Sequence, residues 1–196
     1  DALKGWRNAG YMVPSVGLNF ASRQLLDTAI INQIKWLVDG AGLQPEDVTV
    51  EVLESVLSSS HSDDLIENVK ALSAAGFSID LDDFGTEHAS IANMRSFEVQ
   101  RIKIDKSFVQ DIETRPDQRR LVSAMVQLAR SLDVEVLAEG VETGAEIEIL
   151  SELGCNQVQG YFFARPMEYE QSLTWLSQCG LIERSNVAQD LQTALF

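Results

Sequence analysis

Short apolar segments alternate along the chain with longer segments whose apolar residues recur at helical spacing. The short segments are rich in Val, Ile and Phe, which favour extended structure. They predict six β-strands, over residues 11–20, 48–53, 77–81, 99–104, 134–138 and 157–163. These strands are apolar nearly throughout, as expected when helices cover one face of a sheet and a packed interior covers the other.

The longer segments place apolar residues at intervals of three and four, which predicts amphipathic helices. The residues that define these faces are Leu25, Ile30, Ile34, Leu37 and Val38, then Leu65, Val69 and Leu72, then Leu121, Met125, Leu128 and Leu132. Glycines mark the predicted helix ends, at Gly40 with Gly42, at Gly76 and at Gly154. Strict alternation of strand and helix predicts a parallel sheet.

A doubly wound sheet and a closed barrel both fit this alternation. Polar side chains stand at or near the C-terminal end of each predicted strand: Asn19, Glu51 and Glu54, Asp82 and Asp83, Lys103 and Asp105, Glu139 and Glu142, and Gln159. Barrel enzymes take functional groups from many strand ends, whereas doubly wound sheets concentrate them at one switch point. We therefore predict an α/β fold of the (β/α) TIM-type barrel class. Because a complete barrel takes about 250 residues, six units in 196 residues predict an incomplete barrel whose first units precede residue 1.

Charge and cysteine content limit the classes of function. The chain has 30 acidic and 15 basic residues and a net charge of −15, which argues against DNA, RNA and anionic membranes as partners. Cys155 and Cys179 lack CxxC spacing, so neither a disulfide framework nor a zinc site is expected. Since no apolar span or signal segment is found, we expect a cytoplasmic protein, although a longer parent could be membrane-tethered. We expect one domain over residues 1–184 and a short tail over residues 185–196.

Asp82 and Asp83 are adjacent carboxylates at a predicted strand end. Adjacent desolvated carboxylates are unfavourable unless a cation neutralises them. With Glu51, Glu139 and Asn19 nearby, an all-oxygen site would suit Mg²⁺ or Mn²⁺ better than zinc. Two such ions bridged by one carboxylate would suit in-line attack on a phosphodiester. A solvated turn or a helix N-cap is the simpler interpretation of two adjacent aspartates, and the convergence of five strand ends argues against it.

Three other strand ends carry groups with open interpretations. Lys103 alternates with two isoleucines, so it can face a barrel interior and pair with carboxylates or stabilise phosphoryl charge; a salt bridge at a sheet edge fits equally well. Glu139 could bind a metal or act as a general base, and Glu142 is expected to cap the next helix. Gln159 could bond a ligand or a water, or be purely structural.

Six segments with functional or turn residues occur over essentially the whole chain: residues 17–22, GLNFAS; 50–55, VEVLES; 80–86, DLDDFGT; 102–109, IKIDKSFV; 138–143, AEGVET; and 159–161, QGY. In their order and spacing, these segments together resemble the EAL domain of bacterial cyclic-di-GMP signalling proteins. The resemblance implies a barrel enzyme that hydrolyses cyclic di-GMP to linear pGpG with two Mg²⁺ or Mn²⁺ ions. It also implies a homodimer and a longer parent protein with an upstream sensory or GGDEF domain.

The resemblance assigns metal ligands residue by residue. Asn19, Glu51 and Asp82 look like ligands of one ion. Asp82, Asp83 and Glu139 look like ligands of the other. Asp82 would therefore bridge the two ions.

The resemblance also assigns supporting roles. Lys103 is expected to orient the attacking water or to steady the phosphate, and Glu139 to contribute to catalysis as well as to metal binding. Gln159, Asp105 and Glu142 are expected to contact the substrate or to support the ligands around it. Glu54 is expected to anchor the loop that follows the two aspartates.

Three departures from the family pattern are found; the first two support a second hypothesis, and the third is a lesser change. The Glu-Ala-Leu motif, with one more metal ligand, would lie before residue 1, so that this chain alone would lack a ligand. Glu87 and His88 replace the usual Gly-Tyr, and loss of a Gly can exclude a loop conformation with positive φ. Leu53 stands where Thr is usual. The alternative is thus a degenerate EAL domain that binds cyclic di-GMP or a protein without turnover; a third reading is an unrelated barrel with acidic strand ends.

Overall fold

The computed structural model describes residues 1–57, 62–86, 94 and 98–179. Glu87, His88 and the tail over residues 185–196 lie outside the described residues. The strands are β1 Val16–Phe20, β2 Val48–Leu53, β3 Ser78–Phe84, β4 Arg101–Ile104, β5 Glu135–Ala138 and β6 Gln157–Val158. The α-helices are α1 Ala2–Asn8, α2 Ser22–Leu25, α3 Ile30–Gly40, α4 Ser62–Ala74, α5 Lys106–Val109, α6 Pro116–Ser131, α7 Gly144–Leu153 and α8 Tyr169–Gln178. Within these residues, no helix has the length and hydropathy needed to cross a membrane.

All six predicted strands are present, but three of them have clearly different bounds. β1 starts only at Val16, after a proline that has no N–H for a strand ladder. β3 continues past its predicted end to Phe84, so the two aspartates belong to the strand itself. β6 is only two residues long, because the chain turns where Gly160 lies against the backbone of Val141.

The predicted helices are also found, with one difference. The predicted helix that follows the first strand is divided into α2 and α3. Between them, Asp27 accepts a hydrogen bond from the backbone N–H of Ala29 at 2.9 Å, which stabilises a turn in place of a continuous helix. α7 ends as predicted, one residue before Gly154, which takes the left-handed conformation (φ 86°) that favours glycine.

The six strands form one parallel sheet in the order β1-β2-β3-β4-β5-β6. A doubly wound sheet reverses its strand order at a switch point, so this sequential order excludes that alternative. Within the described residues, β1 and β6 are the two edges. The C-terminal ends of all six strands consequently lie along one side of the sheet.

The two faces of the sheet differ in polarity. On the outer face, Val50, Ile79, Ile102 and Val136 are almost fully buried and belong to one apolar core with helix residues such as Val122. On the inner face stand the polar residues Asn19, Glu51, Asp80, Asp82, Arg101, Lys103 and Gln157. The expectation of strands packed by apolar side chains on both faces is therefore wrong for the inner face.

The first and last described helices are in contact. The Trp6 indole N–H donates to the hydroxyl of Ser172 at 2.8 Å, and the rings of Trp6 and Tyr169 lie 6.2 Å apart. Leu3 and Leu176 are buried in a small apolar cluster between the two helices. α1 and α8 therefore join the two ends of the described chain, although their neighbouring strands lie at opposite edges of the sheet.

Candidate metal centre

Asp82 and Asp83 lie in an irregular part of β3. The register with β4 shifts here, so these two residues stand opposite the single Lys103, and Asp83 has a positive φ of 55°. Adjacent side chains of a regular strand point to opposite faces, whereas a bulge redirects them. One carboxylate oxygen each from Asp82, Asp83 and Glu139 lies within 4.8 Å of the other two. The bulge thus brings both aspartates to one site.

Lys103 lies at the centre of the cluster and is 5% exposed. Its Nζ atom is 2.8 Å from Glu51 Oε2, 3.0 Å from Asp82 Oδ1 and 2.8 Å from Glu139 Oε1. These carboxylates come from β2, from β3 and from the end of β5. One ammonium group on β4 therefore links the ends of three other strands, and charge-assisted bonds of this kind are among the strongest in proteins.

Asn19 and Gly17 complete the β1 side of the cluster. The side-chain amide of Asn19 has one terminal atom 3.2 Å from Asp82 Oδ2 and 3.3 Å from Glu51 Oε2. With nitrogen in that position, Asn19 donates to both carboxylates; with oxygen there, three oxygens converge as they would around a cation. A Cβ atom at Gly17 would lie 2.0 Å from Glu51 Oε1, so glycine leaves room for this carboxylate.

Gln159 joins the cluster from the end of β6. Its Nε2 donates to Glu139 Oε1 at 2.6 Å. Two backbone hydrogen bonds place the two segments side by side, from Gln159 N to Ala138 O at 2.9 Å and from Val141 N to Gln159 O at 3.0 Å. A single Glu139 oxygen is consequently shared between Lys103 and Gln159, which fixes the orientation of this carboxylate.

Glu54 lies beside the cluster and binds the segment after the aspartates. It is 2% exposed, and its Oε2 accepts a hydrogen bond from the backbone N–H of Gly85 at 2.9 Å. A Cβ atom at Gly85 (φ 97°) would lie 2.4 Å from Met125 Cε and 3.0 Å from Phe108 Cε2. The backbone after Asp83 is thus held between Glu54 and the helices α5 and α6.

Two predicted site residues have other contacts in the structure. Asp105 is the N-cap of α5, where its Oδ1 accepts from the backbone N–H of Ser107 at 3.0 Å. Glu142 is exposed and does not cap α7; that cap is formed by Thr143 and Glu146, which accept each other's backbone N–H groups. A role of Asp105 or Glu142 next to a substrate stays a prediction.

Burial and neighbouring charges shift the protonation equilibria of the cluster. Burial acts to lower the pKa of Lys103, but hydrogen bonds to Glu139 and Glu51 outweigh it and raise this pKa above the ordinary value of lysine. Burial raises the pKa of Glu139, and Lys103 offsets this only in part. Burial and the charge of Asp82 raise the pKa of Asp83. Lys103 is therefore cationic at neutral pH, and a further cation would favour ionised carboxylates around it.

The donor atoms of the cluster fit a hard divalent cation. Lys103 supplies one positive charge against the carboxylates of Glu51, Asp82, Asp83 and Glu139. Carboxylate and amide oxygens suit Mg²⁺, Mn²⁺ or Ca²⁺, and neither histidine nor cysteine belongs to the ligand group found among the described residues. The chemistry of the donor set therefore matches the predicted Mg²⁺ or Mn²⁺ site.

Sequence reasoning missed a group of residues below the cluster. Arg101 bonds to Asp80 through Nε at 2.8 Å and also reaches Gln157. Their positions, two residues before Asp82, Lys103 and Gln159 on the same face, are a signal that strand periodicity could have supplied. Gly17 was likewise missed, because the need for a small residue there depends on where the Glu51 side chain lies.

Known proteins resemble this chain over most of its length. The model of the EAL domain matches residues 1–166. The signalling protein YkoW of Bacillus subtilis (strain 168) is 38% identical over 168 residues, which cover 85% of this chain and 20% of YkoW. MucR of Pseudomonas aeruginosa, a bifunctional diguanylate cyclase/cyclic di-GMP phosphodiesterase, is 33% identical over 171 residues, 87% of this chain and 25% of MucR. The chain therefore spans a fifth to a quarter of the length of these relatives.

Solved structures show the same architecture. The cyclic-di-GMP complex of the PaMucR phosphodiesterase has a TM-score of 0.76 at 33% identity, covering 81% of this chain and 70% of that one. The manganese/cyclic-di-GMP complex of Klebsiella pneumoniae BlrP1 at pH 9.0 has a TM-score of 0.72 at 31% identity, covering 84% and 42%. These similarities confirm the predicted TIM-type (β/α) class. With the family model matching residues 1–166, the chain belongs to the EAL domain family.

Proposed function

We propose that the cluster around Lys103 hydrolyses cyclic di-GMP to linear pGpG with the help of two Mg²⁺ or Mn²⁺ ions. The observation that carries this proposal is the convergence of Glu51, Asp82, Asp83 and Glu139 at the strand ends. Support for the substrate class comes from relatives, since MucR is named a cyclic di-GMP phosphodiesterase and the BlrP1 complex contains manganese with cyclic di-GMP.

The donor set divides into two groups that would each hold one ion. Asn19, Glu51 and Asp82 form the first group, in which the Asn19 amide lies 3.2 Å from Asp82 Oδ2 and 3.3 Å from Glu51 Oε2. Asp82, Asp83 and Glu139 form the second. Bound ions supply Lewis-acid stabilisation of a phosphodiester and make water more acidic.

The remaining residues orient these donors and the reactants. Lys103 carries a fixed positive charge at the centre of the cluster, where it can stabilise negative charge that develops on a phosphoryl group or orient the attacking water. Gln159 fixes the Glu139 carboxylate through a bond of 2.6 Å. Glu54 holds the backbone that follows Asp83. Each of these contacts limits the motion of a donor group before substrate binds.

The wider context is also proposed from the relatives. Because the chain spans 25% of MucR, we propose that it works within a longer cytoplasmic signalling protein with an upstream sensory or GGDEF domain. A homodimer of such proteins is the proposed assembly.

The proposal is tested on the longest polypeptide that contains this chain. That protein is incubated with cyclic di-GMP and Mg²⁺ or Mn²⁺, and pGpG is followed by chromatography beside the Asp82→Asn variant and the exposed control Asp39→Asn. Product that disappears with Asp82→Asn and persists with Asp39→Asn supports the enzyme. Binding without product, measured by calorimetry, would instead support the non-catalytic receptor suggested by Glu87 and His88. Absence of both product and binding would favour a protein-interaction role.

A further inference from the structure

A second layer of polar side chains lies on the inner face below the metal centre. The Arg101 guanidinium bonds to Asp80 Oδ2 through Nε at 2.8 Å and through Nη2 at 2.5 Å, and its Nη1 donates to Gln157 Oε1. Asp80 is 1% exposed. Arg101 thus connects β3 and β4 with β6 and passes over the intervening β5.

This lower layer is in register with the metal centre. Asp80, Arg101 and Gln157 each precede by two residues a member of the upper cluster, namely Asp82, Lys103 and Gln159. Residues i and i+2 of a strand share a face and lie about 6.6 Å apart. The guanidinium network is therefore one layer below the carboxylates and below the amide that orients Glu139.

β6 is a short strand. Its register with β5 consists of two residue pairs, Leu137 with Gln157 and Ala138 with Val158, and flanking backbone bonds run from Asn156 N to Val136 O and from Gln159 N to Ala138 O. The residue that follows β6 is Gln159, whose side chain donates to Glu139. A side-chain link from Arg101 to Gln157 adds a bond in which the donor is charged and the geometry is fixed by the planar guanidinium.

We propose that Arg101 is a positioning residue for the metal centre: held by Asp80, it fixes β6 through Gln157 and so sets the position of the Gln159–Glu139 pair. This inference rests on the proposed function, because it concerns the same site. A positioning role can be distinguished from a purely stabilising role of the Asp80–Arg101 pair. Apolar residues of similar volume often replace a buried ion pair without loss of stability. Such residues could not donate to Gln157, so only the positioning role predicts a change at the metal centre.

The test compares the unsubstituted protein with two variants. The first is the double variant Asp80→Leu/Arg101→Met, and the second is Gln157→Leu, which leaves the ion pair intact. The matched control is Asp117→Leu/Arg115→Met, at an exposed pair 3.8 Å apart. Three quantities are measured: the urea midpoint of unfolding, the Mn²⁺ dissociation constant by calorimetry, and the NMR shift of the Gln159 side-chain NH₂ group without metal.

We expect the Gln157→Leu and double variants to bind Mn²⁺ about tenfold or more weakly, as seen when residues that support metal ligands are changed, and to shift the Gln159 signal. The control should change neither the Mn²⁺ dissociation constant nor the Gln159 signal. Parent-like Mn²⁺ affinity and an unshifted Gln159 signal in Gln157→Leu would overturn the inference, even if the double variant did not fold. If the unsubstituted protein binds no Mn²⁺, the proposed function is contradicted. The shift of the Gln159 signal in Gln157→Leu would then decide the positioning role by itself.

Discussion

At the residue scale, Lys103 is the group whose removal should disturb the site most. Its ammonium faces three carboxylates at 2.8, 3.0 and 2.8 Å and is 5% exposed. We predict that Lys103→Met lowers the free energy of unfolding by about 3–5 kcal/mol in the presence of a chelator, because loss of one partner leaves buried charges unpaired. The measurement is urea unfolding beside Lys35→Met, which removes an exposed lysine.

The pKa of Lys103 also fixes the pH dependence of this effect. A folded-state pKa above the unfolded value of about 10.4 means that the stabilisation is complete below that pH and is lost only as pH rises through the folded value. The difference between the parent and Lys103→Met should therefore be the same at pH 7 and at pH 9. A difference that already disappears at pH 9 would contradict the raised pKa.

Cys155 offers a second prediction at this scale. Burial raises the pKa of its thiol to about 12, and Arg130 opposes this only weakly. Since the thiolate is the reactive form, we predict that iodoacetamide modifies Cys155 in the native chain at pH 8 far more slowly than in urea. Mass spectrometry of proteolytic fragments measures both rates. Equal rates would mean that the Cys155 thiol is as accessible in the folded chain as in urea.

At the element scale, the bulge of β3 determines where Asp82 and Asp83 lie. Asp83 has a φ of 55°, where Asn is tolerated far better than a β-branched residue. We predict that Asp83→Asn is about 1–2 kcal/mol more stable than Asp83→Val, the usual cost of a left-handed conformation. Urea unfolding measures both, and the same two substitutions at Asp39 in helix α3 provide the control. A similar difference at both positions would attribute the effect to the substitution and not to the bulge.

The bulge of β3 also shows which parts of the site could be predicted from the sequence. Alternating apolar segments gave the six strands, and family-like motifs named Asn19, Glu51 and Lys103 as neighbours. Strand periodicity alone would have placed Asp82 and Asp83 on opposite faces. The register shift opposite Lys103 brings them together, and no local sequence rule predicts such a shift, because it depends on how two strands pair. The short β6 was missed for a similar reason, since its end depends on Gly160 meeting the backbone of Val141.

At the scale of the whole molecule, polarity is distributed unevenly across the sheet. The outer face and its helices form one apolar core, whereas the inner face carries the ion pairs of two successive layers. Substitutions in the outer core should therefore act mainly on the free energy of unfolding. Substitutions that break an ion pair of the inner face should change both this free energy and ligand binding.

The contact between α1 and α8 provides the last prediction. Trp6 bonds to Ser172 and packs on Tyr169, and the strand that precedes α8 is only two residues long. We predict that Trp6→Ala lowers the free energy of unfolding by about 2 kcal/mol or more and speeds amide hydrogen exchange over residues 169–178. The matched control is Trp36→Ala, because Trp36 is 73% exposed and its truncation should change stability by less than about 0.5 kcal/mol.

The free energy of unfolding and the exchange rates together distinguish a mere surface contact from a contact that connects α1 with α8. If Trp6 connects the first and last helices, exchange should increase across α8 while the outer core around Val122 and Val136 stays protected. If the indole were only a surface contact, Trp6→Ala and Trp36→Ala would be equally mild and α8 would exchange as in the parent. Loss of protection confined to α8 would also show that the first five strands, which carry Asn19, Asp82 and Lys103, stay folded without it.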